Sequence, residues 1–164
     1  ESDLPAIMEI VRQAKNSLKK YHVDQWQGDY PTESVFARDI QNGSCYVISH
    51  KMETAAFFVL TLGPEPGYDE ITDGKWHSGE DYCVLHRAAV KSDFRGTPVA
   101  SELFDFAVLE AKKRGASALR TDTHRKNKPM RALLERKGCR FAGNILITSE
   151  PGHDDRRQAF ELLW

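Results

Sequence analysis

The chain has 164 residues, of which 40% are hydrophobic and 29% charged, and its formal net charge is −1. That length and balance describe one globular domain, residues 1–164, large enough to bury its own core without staples. The near-zero charge, with no basic patch interleaved with aromatics, argues against nucleic acid. No apolar run approaches the roughly 18 residues of a membrane span, and the absence of a charged-then-apolar leader predicts a cytoplasmic protein.

The N-terminus reads as a helix. Asp3 is placed to cap it, Pro5 sits in its first turn, and Ile7, Ile10, Val11, Ala14 and Leu18 recur at helical spacing. A polar, aromatic connection follows, with Trp26, Gly28, Tyr30 and Pro31. A second short helix then carries Val35, Phe36 and Ile40 and ends at Asn42-Gly43. Residues 44–50 and 54–62 are rich in β-branched and aromatic residues and predict two strands joined by a hairpin turn at 51–53, without the usual Asn-Gly. Residues 63–80 hold four glycines and two prolines and read as a loop.

A strand is expected over 81–91, a turn at 94–97 and a strong helix over 98–114, capped by Gly115. A strand over 117–121, a helix over 128–137 with Pro129 in its first turn, and strands over 139–148 and 158–164 joined by a turn at 149–157 complete the chain. The order ααβββαβαββ predicts an α/β (α+β) domain with a mixed central sheet flanked by helices. Cys45, Cys83 and Cys139 are odd in number and far apart, with no CxxC pair. They predict reduced thiols and no metal site.

The strand-turn-helix at 81–114 carries the chemistry. A helix N-terminus presents unpaired backbone N–H groups and about half a positive charge, and small residues let a pyrophosphate approach them. Gly96, Ala100 and Ser101 are small, and Arg95 adds a cation. On the residues alone, an ordinary strand-turn-helix connection accounts for the pattern equally well. The stretch Ala89-Val90-Lys91-Ser92-Asp93-Phe94-Arg95-Gly96-Thr97-Pro98-Val99-Ala100 resembles the pyrophosphate loop of the GNAT acetyltransferases, Arg/Gln-x-x-Gly-x-Gly/Ala after an Ala-Val-like strand end. Pro98 stands where the family has its central glycine and removes one N–H donor. Residues 24–31 and 122–130, and Gly138-Cys139, are similar to further stretches of a bacterial small-domain branch of that family, in the same order.

The resemblance implies the GNAT-like acyl-CoA N-acyltransferase fold; its usual first strand has no counterpart before the opening helix, either because the sequence starts after it or because the strand is absent. It also implies transfer of an acetyl group from acetyl-CoA to a primary amine, directly and without an acyl-enzyme. In that reading the Val90 N–H polarises the thioester, Ala88 and Ala89 line it, and Arg95, Gly96, Thr97, Val99, Ala100 and Ser101 hold the pyrophosphate. Asn127 and Met130 contact the cofactor arm. An N-cap explains Asn127 equally well by spacing. The family's acid, a tyrosine seven residues after that asparagine, is replaced by Leu134, which leaves Tyr30 or Tyr46 as substitutes.

His86 is the leading base. Strand alternation places it on the face of Val90, about 13 Å before it at roughly 3.3 Å per residue, and an imidazole can take an amine proton directly or through water. A histidine satisfied on a half-buried strand is the alternative. Trp26, Tyr30 and His124 are candidate acceptor-site residues, and Glu80 and Asp81 are candidates for attracting a cationic amine. Packing and loop-end capping explain them as well. The expected partner is a small-molecule or peptide amine, with no nucleic acid and no membrane; the resemblance allows a homodimer. A coenzyme A-binding protein without turnover and an interaction domain that keeps the fold are the rival readings.

Overall fold

The computed structural model of the chain describes residues 2–147 and 155–164. The elements run α1 (Leu4–Lys20), α2 (Glu33–Gln41), β1 (Cys45–His50), β2 (Glu53–Leu62), β3 (Tyr82–Val90), a 3-10 turn (Ser92–Phe94), α3 (Val99–Lys113), β4 (Ala118–Thr123), α4 (Lys128–Arg136), β5 (Arg140–Leu146) and β6 (Arg156–Leu163). The predicted order holds, but β4 ends two residues later than expected and β6 begins two earlier. The expected turn over 149–157 lies mostly outside the described residues. The strands form one six-stranded sheet in the order β1-β2-β3-β4-β6-β5. Only the β3–β4 contact is parallel, which makes the sheet mixed. It begins at β1, with no strand before α1 among the described residues.

Each helix lays its apolar stripe on the sheet. Val99, Leu103, Phe104, Ala107 and Ala111 of α3 pack with Phe58, Leu60, Cys83 and Leu85 on one face. On the other face Ile7, Ile10 and Val11 of α1 and Phe36 of α2 cover Phe57 and Val59. Asp3 does not cap α1 through its side chain: it already has helical dihedrals, φ −84° and ψ −11°. Its carboxylate instead accepts from the Thr54 hydroxyl at 3.3 Å. The β1–β2 hairpin turns through Lys51 and Met52 with φ of 48° and 68°. Both lie in the left-handed region that a tight two-residue turn requires, although neither is the expected Asn or Gly.

The loop 63–80 covers the rest of that second face. Tyr68 is fully buried and stacks on Trp76 with ring centroids 5.1 Å apart. Thr72 exchanges both backbone hydrogen bonds with Asn144 at 2.8 Å and so closes the outer edge of β5. The approach needs two glycines: a Cβ on Gly74 would lie 2.0 Å from the Ala142 carbonyl oxygen, and one on Gly143 2.6 Å from that of Thr72.

The loop is anchored by a buried ion pair. Arg120 of β4 donates from Nε to Glu161 of β6 at 3.1 Å, and the Glu161 residue is 0% exposed. The Glu161 carboxylate also accepts from the Ser78 hydroxyl and from the backbone N–H groups of His77 (2.8 Å) and Ser78 (3.2 Å). The Arg120 guanidinium lies 3.7 Å from the centre of the Tyr82 ring and 4.4 Å from that of Trp76. Burial alone would raise the Glu161 carboxyl, but these donors together hold it below its ordinary value of 4.5.

Glu161→Ala is expected to lower stability in urea titrations by about 3–5 kcal/mol, because it strands the buried Arg120 charge. A carboxyl with a depressed folded pKa contributes stability that is present above its unfolded value and lost as pH falls through the folded one. The wild type is therefore expected to lose stability steeply below about pH 4.5, and Glu161→Gln to show a flatter acid limb.

Candidate active site

β3 and β4 stay together for only three register pairs, Tyr82–Ala118, Cys83–Leu119 and Val84–Arg120. Beyond these the strands part. Thr121 bridges the opening by donating its hydroxyl to the Leu85 carbonyl at 2.9 Å. The gap leads into an open cleft of about 460 Å³.

β3 reaches the cleft through a bulge. Its register against β2 passes from Phe57–Ala89 to Val59–His86, which leaves one extra residue on β3. Arg87 takes up the distortion with φ 45°, a conformation that non-glycine residues seldom adopt. The bulge breaks the alternation. Leu85, Ala88 and Val90 pack with the core under α3, whereas Val84 packs with Tyr68 and Tyr82 on the opposite face. The expectation that Val84, His86, Ala88 and Val90 share one face is therefore corrected: the extra residue puts Val84 and Val90 on opposite sides of the sheet.

His86 points to the loop 63–80, where its Nε2 lies 3.2 Å from Oε2 of Glu65. Beside this pair the Tyr68 hydroxyl donates to Oδ1 of Asp122 at 2.8 Å, and Asp122 borders the cleft. Burial raises the Asp122 carboxyl above its ordinary value, against the opposing pull of His86, the Tyr68 bond and Arg157. Burial and the neighbouring Asp122 push the Tyr68 phenol well above 10.0. The ends of β3 and β4 and the loop 63–80 thus bring together two carboxylates, an imidazole and a phenol.

Arg87 ties this region to the helices. Its Nε and Nη2 donate to the two carboxylate oxygens of Asp39 in α2 at 3.1 and 2.9 Å, and its Nη1 donates to the Tyr30 hydroxyl at 2.7 Å. The Arg87 and Asp39 side chains are only 16% and 11% exposed. Burial raises the Asp39 carboxyl despite the guanidinium beside it.

Of the expected cofactor residues, Ala88, Ala89, Val90, Arg95, Gly96, Thr97, Ala100, Asn127 and Met130 all line the cleft. Val99 is instead 3% exposed and faces the core, and Ser101 does not border the cleft. Asn127 serves both readings: it lines the cleft and its Oδ1 accepts from the Met130 N–H at 3.4 Å as an N-cap. Trp26 lines the cleft, and Tyr30 joins it through Arg87. His124 is 1% exposed, its Nδ1 accepting from the Lys126 N–H at 3.1 Å, and it borders no part of the cleft. Glu80 and Asp81 are exposed at the opposite end of β3. Tyr46 packs on Phe58 and Phe106 and accepts from Arg114, away from the cleft. Leu134 is 0% exposed in the core under α3. Glu65, Tyr68, Arg87 and Asp122 were missed as site residues. Their sequence signals were a charge within a predicted strand at Arg87, and for Glu65 and Tyr68 a loop too long to be a plain connection; Asp122 lay just past the predicted strand end.

Residues 11–139 match the acetyltransferase (GNAT) family. The chain is similar to a GNAT-family acetyltransferase of Streptococcus agalactiae 2603, with 29% identity over 100% of this chain and 91% of that one and a TM-score of 0.87. An N-acetyltransferase of Staphylococcus aureus Mu50 shares the fold at 19% identity, TM-score 0.70, over 99% and 93% of the two chains. So does a Bacillus subtilis acetyltransferase in complex with CoA, at 17% identity, TM-score 0.61, over 82% and 86%. No curated protein matches the chain.

The backbone strain at Arg87 can be separated from its ion pair. Arg87→Ala and Arg87→Gly both lose the guanidinium, but only glycine adopts φ 45° without a Cβ penalty. In chemical denaturation Arg87→Gly is expected to be the more stable of the two by roughly 0.5–1 kcal/mol.

Proposed function

The chain belongs to the acetyltransferase (GNAT) family, and we propose that it transfers an acetyl group from acetyl-CoA directly to a primary amine in a ternary complex. The observation that carries this reading is the free edge of β3. Lys91 donates its N–H to the Ala55 carbonyl at 2.8 Å, toward β2. Because successive residues of a strand alternate edges, the Val90 peptide is turned the other way, into the gap beside β4. There the Val90 carbonyl accepts from Nε of Arg95 at 3.3 Å.

The residues present suit the donor. Ala88 and Ala89 leave room for an extended arm along β3, and α3 opens onto the cleft through Gly96, Thr97 and Ala100. The first-turn N–H groups of α3 and the Arg95 cation supply a pyrophosphate site. Pro98 contributes no N–H, but its φ of −60° suits the helix start.

An amine arrives as an ammonium. Asp122, at the cleft wall, draws it in, and His86 accepts the proton through water. Glu65 orients the imidazole and stabilises the imidazolium. The Val90 N–H stabilises the charge that develops on the thioester oxygen as the C–N bond forms. The C–S bond then breaks, coenzyme A departs as a thiolate, and the second amine proton, released as the amide forms, passes through solvent to that thiolate. With Leu134 in the core and Tyr46 elsewhere, no protein acid is assigned to it; a thiol of pKa about 8.5 needs little help. Burial raises Cys45 to about 11 and Cys139 to about 12, and raises Cys83 as well. These protonated thiols suit direct transfer rather than an acyl-cysteine.

Calorimetric titration is expected to give roughly micromolar acetyl-CoA binding, weakened about tenfold in Arg95→Ala. His86→Gln is expected to keep that affinity while turnover, followed by thiol release, falls about 10²-fold. Absence of binding at millimolar acetyl-CoA would sink the reading.

A further inference from the structure

The cleft passes through the sheet. α3 and α4 line one mouth with Ala100, Leu103, Phe104, Met130 and Leu133; α1 and the connection after it line the other with Ala14, Leu18, Tyr21 and Trp26. α3 and α1 pack on opposite faces of the sheet. The pyrophosphate site at the start of α3 gives the first mouth to coenzyme A and leaves the second to the acceptor. Asp122 serves this second mouth, because its carboxylate is bonded to Tyr68 of the loop 63–80, which covers the same face as α1.

Charge and apolar surface are divided along this mouth. Among the described residues that border the cleft, Asp122 is the one acid. Arg87, the cation on this side, already donates from each of its three nitrogens, to Asp39 and to the Tyr30 hydroxyl. Ser17 and Gln25 are neutral. The rest of the wall is apolar, and it is held in place. Trp26 has φ 63°, a left-handed conformation that a bulky residue adopts only where its surroundings enforce it. Lys15 of α1 donates from Nζ to the Gly28 and Asp29 carbonyls at 2.8 and 3.1 Å. The Gln27 side-chain amide donates to the Lys15 and Gln25 carbonyls, and Oε1 of Gln25 accepts from the His124 N–H at 3.4 Å. Tyr21, 52% exposed, carries the wall out to the rim.

We propose that the acceptor is a monoamine with an apolar or aromatic body, its ammonium end at Asp122 and its body on Leu18, Tyr21 and Trp26. The proposal rests on the acetyl-transfer reading. One carboxylate suits one ammonium. A polyamine would have to leave its second ammonium on an apolar wall beside the Arg87 guanidinium, desolvated and without an anion. An amino acid would bring its carboxylate toward Asp122 and meet a guanidinium that is already paired. An alkyl or aryl body instead exchanges water for the exposed apolar surface of the rim.

Matched acceptors test this. At saturating acetyl-CoA, kcat/KM is measured for hexylamine against cadaverine, in which an ammonium replaces the terminal methyl, and for phenethylamine against phenylalanine. Hexylamine and phenethylamine are each expected to be preferred about tenfold or more. Tyr21→Glu puts a carboxylate on the wall at an exposed position where folding is not at stake, and is expected to bring the hexylamine-to-cadaverine ratio toward one or below it. Trp26→Ala is expected to raise KM for hexylamine about tenfold with little change in kcat, and Trp26→Phe to restore most of the loss; unchanged acetyl-CoA affinity in each variant reports that the fold is intact. Equal or reversed kcat/KM within either pair, or a ratio unmoved by both Tyr21→Glu and Trp26→Ala, would overturn the proposal. Calorimetric binding of hexylamine and cadaverine to the coenzyme A complex repeats the comparison without turnover, and equal or absent binding of both overturns it too. Failure of acetyl-CoA itself to bind removes the acetyl-transfer reading and the proposal with it, whereas acetyl-CoA binding without a monoamine preference removes the proposal alone.

Discussion

The parting of β3 from β4 is the constraint on which the rest of this structure depends. A parallel pair that stops after three register pairs leaves backbone polar groups on two facing edges without ladder partners. Inside a core such groups would be strongly destabilising. The fold satisfies some of them with side chains: the Thr121 hydroxyl takes the Leu85 carbonyl and the Arg95 guanidinium takes that of Val90. Other groups face the cleft, where an extended ligand can pair with them like an added strand. A gap in the sheet thus becomes a template, and the small residues Ala88 and Ala89 keep it accessible.

Holding the gap open requires a stiff surround. On one side the bulged Arg87 clamps Asp39 of α2 and Tyr30 of the α1–α2 connection. Asp39 is pinned further through its carbonyl, which accepts both the N–H and the hydroxyl of Ser44 at the start of β1. On the other side Arg120 and Glu161 fix the loop 63–80 across β4 and β6. Each clamp couples a long connection, which alone would be among the more mobile parts of a domain, to a buried charge whose release is unfavourable. The cleft walls are built from connections, but they inherit the rigidity of the sheet.

Periodicity and punctuation made the order of elements readable. The apolar stripes of α1 and α3, the prolines in first turns, and Gly115 and Gly138 after helix ends are local signals, and the structure follows them. The turn at 95–100, which the structure places on the cleft, was legible for the same reason: its pattern is written in consecutive residues. What escaped is non-local. Nothing in the local sequence marks a bulge at Arg87, because the position is not glycine; the bidentate pair with Asp39, 48 residues away, supports the strained conformation. Without the bulge, alternation assigns His86 to the wrong face. Ending β4 at residue 121 rather than Thr123 likewise hid Asp122 as a strand residue beside the cleft. Leu134 was recognisable as a departure from the family pattern, yet only packing shows that it belongs to the core.

Two residues of β4 show how environment divides roles along one strand. Arg120 and Asp122 alternate onto the same face. Arg120 meets a carboxylate, a hydroxyl, two carbonyls and two aromatic rings, so its charge is consumed in holding the loop. The Asp122 carboxylate, one step closer to the cleft, has a single side-chain donor among the described residues, the Tyr68 hydroxyl. Burial therefore raises its pKa, whereas the four donors on Glu161 lower that carboxyl. A carboxylate so poorly compensated gains more than its neighbours from an incoming cation. It lies where the gap opens, facing the His86–Glu65 pair and Arg157. The same buried face is thus polar in two ways: saturated where β4 is paired with β3, and less fully satisfied where the strands part.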